Sequence, residues 1–317
     1  MNILLFKLRY IGDVLLTTPA ISLLRKAYPD AHITMVVNKG TEDVIVYNPD
    51  LNEILTVDKT NKFKNLIFLL KKLRSRKFDF SVDFASGDRA AWLALWSGVS
   101  PRIGLASNEG FRRWINNIQV GWINGAHIVE LYIAIASEAP IIKQNKIVPD
   151  NLKLKLFCSP KDIEFAKELL RENNLQEKNF IVAHTGCRYP HNRWDYENWI
   201  KLLKHLGLPV VFLGTADDIE SIQKIQSALQ IYSVSLAGQT TILQSATIML
   251  QSLGFIGHDS GPMHIAAAME VPVVGIFGKT SIPVIWHPWT DRYHIISTNQ
   301  TAEEVLQPVR SLLIPKS

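Results

Sequence analysis

Residues 259–268 read Asp-Ser-Gly-Pro-Met-His-Ile-Ala-Ala-Ala, directly after an apolar run containing Leu253, Phe255 and Ile256. Ser260 suits a helix cap, Gly261 permits a bend or a close approach to a ligand, and Pro262 suits a first helical position. A helix started this way offers backbone N–H groups at its positive end, a seat for phosphate. The same pattern fits an ordinary capped helix that binds nothing. His264 lies inside the helix. A single helical histidine is more often structural than catalytic, so it stands as a supporting candidate.

Asp13 follows Gly12 and precedes Val14-Leu15-Leu16. A carboxylate there either caps the helix or serves as a general base, provided it reaches the proton it removes. A third loop, His184-Thr185-Gly186-Cys187-Arg188, follows another apolar run. Arg188 and Arg193 flank Tyr189, Pro190 and His191. Arginines so placed grip a diphosphate bidentately or lie on an ordinary surface. There is no Gly-x-Gly-x-x-Gly after the first apolar run, no P-loop and no His-Glu-x-x-His. Dehydrogenase and P-loop chemistry are therefore disfavoured, and no metal site is expected. Asp217-Asp218 sits at a helix start, where acidic residues suit the dipole.

The elements that position these loops alternate in type. Strand-like runs at 2–8, 33–37, 79–84, 179–184, 208–213, 234–236, 255–257 and 271–277 are separated by helical stretches such as 15–27, 195–205 and 218–229. This alternation predicts βαβ units and parallel sheets, an α/β fold. A chain of 317 residues suits two domains. The seam is expected between Pro149 and Pro160, giving domains 1–156 and 157–317. A final helix at 301–314 would pack on the second domain or back on the first. Ligands in such folds sit at the carboxyl ends of strands, so the three loops would line a central cleft.

The composition excludes several classes. Hydrophobic content is 47% and there are two cysteines, Cys158 and Cys187. They build no disulfide framework, which favours a reducing compartment. The first residues lack a basic start and a long apolar stretch, so they read as a buried strand. No apolar run approaches the ~20 residues of a membrane span. The net charge is +5, and residues 59–77 hold Lys59, Lys62, Lys64, Lys71, Lys72, Arg74, Arg76 and Lys77 without an acid. Leucines and Phe68 are interleaved. This reads as an amphipathic basic helix, either a solvated outer face or a contact for an anionic membrane or acidic acceptor. Nucleic acid is disfavoured for want of a zinc-finger or RNP-like pattern.

Two segments together resemble glycosyltransferase family 9, the ADP-heptose-dependent heptosyltransferases of the lipopolysaccharide inner core. They are Lys7-Leu8-Arg9-Tyr10-Ile11-Gly12-Asp13-Val14-Leu15-Leu16-Thr17-Thr18-Pro19 and residues 259–267, continuing to Phe277-Gly278. Tyr28-Pro29-Asp30-Ala31 and Trp286-His287-Pro288-Trp289 look most like the heptosyltransferase III type. The resemblance implies a GT-B fold of two Rossmann-like domains facing a central cleft, with the acceptor bound by the first and the nucleotide sugar by the second. It implies an inverting, metal-independent transfer without cofactor, at the cytoplasmic side, free or peripheral at the inner face of the inner membrane. Asp13 matches the base. Asp259, Ser260 and Gly261, with His264, Thr185, Gly186, Arg188 and Arg193, would hold the donor diphosphate and sugar. Glu220, Thr240 and Thr241 would hold the nucleoside. Gly12, Arg102, Arg112 and Arg113 would meet the anionic acceptor. One departure stands out: relatives commonly carry a lysine where this chain has Asn192. Losing a charge-assisted contact to phosphate costs about 1.5–3 kcal/mol, so Arg188 or Arg193 supplies the charge, donor affinity is weaker, or the donor differs.

Overall fold

The structure is a computed structural model that describes residues 1–58, 64–85, 87–107 and 112–314, without the side chains of 64–66 and 112. Lys59 and Lys62, and the side chains of Lys64 and Arg112, lie outside the described residues. The chain divides into two units, Met1–Lys155 and Leu156–Ser317.

The first unit runs β1 (Asn2–Lys7), α1 (Ile11–Leu15), α2 (Thr18–Ala27), β2 (His32–Asn38), β3 (Glu53–Val57), α3 (Lys64–Ser75), β4 (Phe80–Asp83), α4 (Asp88–Ser97), β5 (Arg102–Leu105), α5 (Arg112–Ile115), β6 (Ile118–Val120), α6 (Ile128–Ser137) and α7 (Pro140–Asn145). Its six strands are all parallel, in the order β3-β2-β1-β4-β5-β6. Ile3, Leu4, Leu5 and Phe6 are fully buried. Helices on both faces explain why β1 reads as a continuous apolar run rather than an alternating one. The strand order reverses between β1 and β4, so a crevice opens at their carboxyl ends.

The second unit runs α8 (Pro160–Glu172), β7 (Ile181–His184), α9 (Tyr196–Leu206), β8 (Val210–Phe212), α10 (Ile219–Ala228), β9 (Ser233–Ser235), α11 (Ile242–Gln251), β10 (Gly254–His258), α12 (Gly261–Ala268), β11 (Val273–Phe277), α13 (Pro283–Trp286), β12 (Tyr293–Ser297) and α14 (Ala302–Leu313). Its parallel order is β12-β11-β10-β7-β8-β9, with the reversal between β7 and β10. Val305, Val309 and Leu313 of α14 join Trp199, Leu202 and Leu206 of α9 in this unit's core, so the last helix packs on the second sheet.

Two local expectations are corrected. The helix expected over 15–27 is split into α1 and α2. Thr17 and Thr18 turn their hydroxyls back to Val14 O and Leu15 O, and Pro19, without an N–H, opens the next helix. β3, β5, β6 and β12 were not expected. Three of them are sheet-edge strands, and all four are at most five residues long and incompletely buried, so they lack the apolar run that marks a central strand. No helix among the described residues is long and apolar enough to cross a membrane.

Candidate active site

Each unit carries one candidate locus at its strand-order reversal. In the first, Asp13 lies inside the first turn of α1 rather than in the loop before it. Tyr10 is the N-cap, and no side chain caps the helix. Asp13 Oδ1 lies 3.2 Å from Lys7 Nζ at the carboxyl end of β1. That ammonium also donates to Phe84 O at 3.1 Å, just past β4, and to the Tyr132 hydroxyl on α6. It sits 4.4 Å from the centroid of the Tyr132 ring, whose edge meets Phe84.

Lys7 is buried, whereas the Asp13 side chain keeps 18% exposure. The carboxylate is thus fixed on its inner side and reachable on its outer side. Burial pushes the Lys7 amine below the ordinary lysine range, and the Asp13 carboxylate pulls it partly back. Burial, with the Asp13 charge adding to it, raises the Tyr132 phenol well above its usual value, so it stays neutral. Gly12 is buried within α1.

In the second unit, Ser260 is the N-cap of α12 by backbone geometry, at φ −162° and ψ 171°. Its hydroxyl does not cap the helix, correcting the expectation. It donates backwards to His258 O at 2.9 Å. The amide-bearing start of α12 is therefore left without a side-chain cap, which is what an anion seat needs. His264 is buried in the same helix.

The loop after β7 borders this helix start through the pairing of β7 with β10. Thr185 is buried, and its hydroxyl has no partner among the described residues. The missing side chain of Gly186 leaves room for the Asp218 carboxylate, since a Cβ there would come within 2.6 Å of Asp218 Oδ1. Asp218 accepts from the Thr215 N–H and hydroxyl at 2.8 and 2.9 Å, so its carboxylate is engaged at a turn start.

Arg188 and Arg193 are exposed on this loop. Trp194 ties the loop down: its N–H donates to His258 Nε2 at 2.9 Å and its indole N–H to Gln300 O at 2.8 Å. Burial pushes the His258 imidazole down to about 3, matching its role as a neutral acceptor.

Asn192 is buried and belongs to the scaffold. Its Nδ2 donates to Thr280 Oγ1 at 2.8 Å, and its Oδ1 accepts from the Thr280 N–H at 3.3 Å. A Cβ on Gly278 would lie 2.3 Å from Asn192 Cβ. The loops after β7 and β11 are thereby joined on either side of β10.

Asp259 links β10 to α12 and shares a hydrogen bond with Ser281. Burial raises its carboxyl to about 6. An acid whose folded pKa exceeds its unfolded one stabilises the fold while protonated, and that contribution is lost as pH rises from about 4 to about 6. Asp259→Asn is therefore expected to raise the melting temperature at about pH 7.5 and leave it nearly unchanged at about pH 3.5. Paired thermal melts across this range check it; an equal shift at both ends contradicts it.

The remaining expected residues scatter more widely. Glu220 is exposed in the first turn of α10. Thr241 accepts from the Gln244 N–H as the cap of α11, and Thr240 bonds Ser245 at 2.8 Å. Arg102 opens β5 at the amino edge of the first sheet, opposite Asp13. Its guanidinium donates to Ile115 O and Val99 O at 2.6 and 2.8 Å, so it braces backbone there. Arg113 is exposed on α5, 5.8 Å from the Trp114 ring.

Lys7, Tyr132 and Thr280 were not singled out from sequence. Lys7 carried a signal, since a lysine ending a fully buried strand requires a partner. Tyr132 carried none, being 125 residues away.

The comparisons with known proteins agree with this architecture. The pattern of glycosyltransferase family 9 (heptosyltransferase) matches residues 67–311. The chain is 28% identical to lipopolysaccharide heptosyltransferase 3 of Escherichia coli K12, over 90% of this chain and 84% of that protein. It is 24% identical to lipooligosaccharide heptosyltransferase 2 of Haemophilus influenzae, over 93% and 88%. Among solved structures, the family 9 glycosyltransferase of Veillonella parvula superposes with a TM-score of 0.88 at 23% identity, covering 99% of this chain and 97% of that one. E. coli ADP-heptose heptosyltransferase II superposes at 0.81 and 24% identity, covering 99% of both. The paired parallel sheets are thus of the GT-B type, and the extent of the family match makes this chain a member of glycosyltransferase family 9, the heptosyltransferases.

Proposed function

We propose that this enzyme moves a heptose from ADP-heptose onto the anionic inner core of lipopolysaccharide, with inversion and with Asp13 as general base. The observation that carries the reading is the carboxylate of Asp13, held by a buried ammonium yet reachable from solvent, at the carboxyl end of β1. A base so placed removes the proton from an acceptor hydroxyl as its oxygen attacks the anomeric carbon. The bond from that carbon to the diphosphate breaks, and ADP leaves.

The charge building on the leaving diphosphate is met in this reading by the uncapped start of α12 at Ser260 and Gly261, with Arg188 and Arg193 beside it. Asp259, Thr185, Gly186 and His264 complete the donor pocket, and Glu220, Thr240 and Thr241 take the nucleoside. Gly12, Arg113 and Arg112 are assigned to the acceptor side; Arg102, committed to backbone carbonyls, keeps only a bracing role. Charge neutralisation by these groups requires neither metal nor cofactor. Support comes from relatives named as lipopolysaccharide heptosyltransferases and from solved structures of E. coli heptosyltransferase WaaC with ADP and with a fluorinated ADP-heptose.

A second reading has a specific basis. Because Asn192 is built into the scaffold, diphosphate charge rests on arginines, and another nucleotide sugar is the alternative donor. A thermal-shift panel separates the two. A ligand at one hundred times its Kd stabilises the folded state by about 2.7 kcal/mol. ADP-heptose is expected to raise the melting temperature most, and transfer to a heptose-truncated core to follow. A larger shift with a GDP- or UDP-sugar would replace the donor assignment.

A further inference from the structure

The turn after β11 brings a lysine to the donor locus that no local sequence signal marks. Ser281 N–H donates to Gly278 O at 3.1 Å, so residues 278–281 form a tight turn with Lys279 and Thr280 at its corners.

Both legs of this turn are tied to the donor locus. Thr280 Oγ1 accepts from Asn192 Nδ2 at 2.8 Å, and the Thr280 N–H donates to Asn192 Oδ1 at 3.3 Å. A ring nitrogen of His191 lies 3.2 Å from the same hydroxyl. Ser281 shares its hydrogen bond with Asp259. Asn192 belongs to the loop after β7, whereas Asp259 directly follows β10. β10 lies between β7 and β11 in the sheet. A turn that leaves β11, touches the end of β10 and reaches the β7 loop must pass beside the point where α12 begins without a side-chain cap.

Lys279 is therefore carried at the corner of a turn whose neighbouring residues are all engaged. Its side chain is exposed. It pairs with no acid among the described residues. A lysine on a loose loop loses much freedom when it meets a ligand. Here the backbone at its root is already fixed, so that cost is smaller. An ammonium also serves phosphate as a point charge and needs no single approach angle. Arg188 and Arg193 stand on the β7 loop, on the other flank of β10. Positive charge thus faces the start of α12 from two sides.

We infer that Lys279 is a further cation of the donor site and binds the diphosphate of the nucleotide sugar from the β11 side. The clasp at Asn192 holds the turn that presents this charge. The inference rests on reading the start of α12 as the diphosphate seat.

The test is titration calorimetry on the full chain, with ADP and adenosine as probes. Lys279→Met is expected to lower the affinity for ADP about tenfold or more and to leave that for adenosine unchanged. Lys279→Arg keeps the charge and should recover most of the loss. The melting temperature without ligand should match that of the unaltered chain, because the side chain is exposed. In transfer assays the donor KM of Lys279→Met should rise by a factor similar to the loss of ADP affinity. Native affinity for ADP in Lys279→Met, or equal losses for ADP and adenosine, overturns the assignment. UDP with uridine and GDP with guanosine serve the same comparison. Tighter binding of one of these by the unaltered chain replaces the ADP reading, while a loss confined to the diphosphate still supports Lys279. Failure of the unaltered chain to bind any of the three diphosphates overturns the donor reading and this inference with it.

Discussion

Asp13→Asn is expected to lower kcat about 10³-fold while ADP-heptose still raises the melting temperature as it does in the unaltered protein. The amide keeps the shape of the carboxylate and can still accept from Lys7 Nζ, 3.2 Å from Oδ1 in the native site. What it loses is the capacity to take a proton, and general bases contribute about 10² to 10⁴ in rate. Donor binding is assigned to the second unit, so it should survive. Pre-steady-state transfer with donor and truncated core, alongside a thermal shift with donor alone, separates the two. Turnover near the native rate would remove Asp13 from the chemistry, whatever the donor does.

The second large effect belongs to Lys7. Lys7→Met is expected to lower kcat about 10²-fold with little change in donor binding. The buried amine holds Asp13 Oδ1 at 3.2 Å, and without it the carboxylate is no longer fixed where it meets the acceptor hydroxyl, a misplacement that costs about 10²-fold. A merely structural lysine would reduce the amount of folded protein and leave kcat per folded molecule where it was. Truncating one partner of a buried pair costs about 3–5 kcal/mol, so the variant must first be shown to melt cooperatively. Lys7→Arg supplies the second comparison. It keeps the charge, but a guanidinium does not fit the site between Phe84 O and the Tyr132 hydroxyl as the amine does. It should restore the cooperative melt more than the rate. A native kcat in folded Lys7→Met would leave Lys7 a packing residue.

The doubly wound units were legible in the sequence because central parallel strands are buried on both sides and write themselves as apolar runs. The edges were not legible. β6 is three residues long, and β12 is only partly covered, so neither leaves a pattern that hydrophobicity can mark. The two loci were readable for a related reason. Gly-Asp before an apolar helix and Ser-Gly-Pro before a small-residue helix are local signals, carried by neighbours in the chain. The groups that set the chemistry of those loci are not local. Tyr132 reaches Lys7 across 125 positions, and Ser260 turns its hydroxyl away from the helix it would be expected to cap. Side-chain direction and long-range partners arise only once the sheet is assembled.

Asn192 was noticed as a missing cation, but the hydrogen bonds to Thr280 and the close approach to Gly278 describe a keystone. A replacement at 192, or a chimera that exchanges only one of the two loops, would strip Thr280 of its partner and is expected to slacken both loops together.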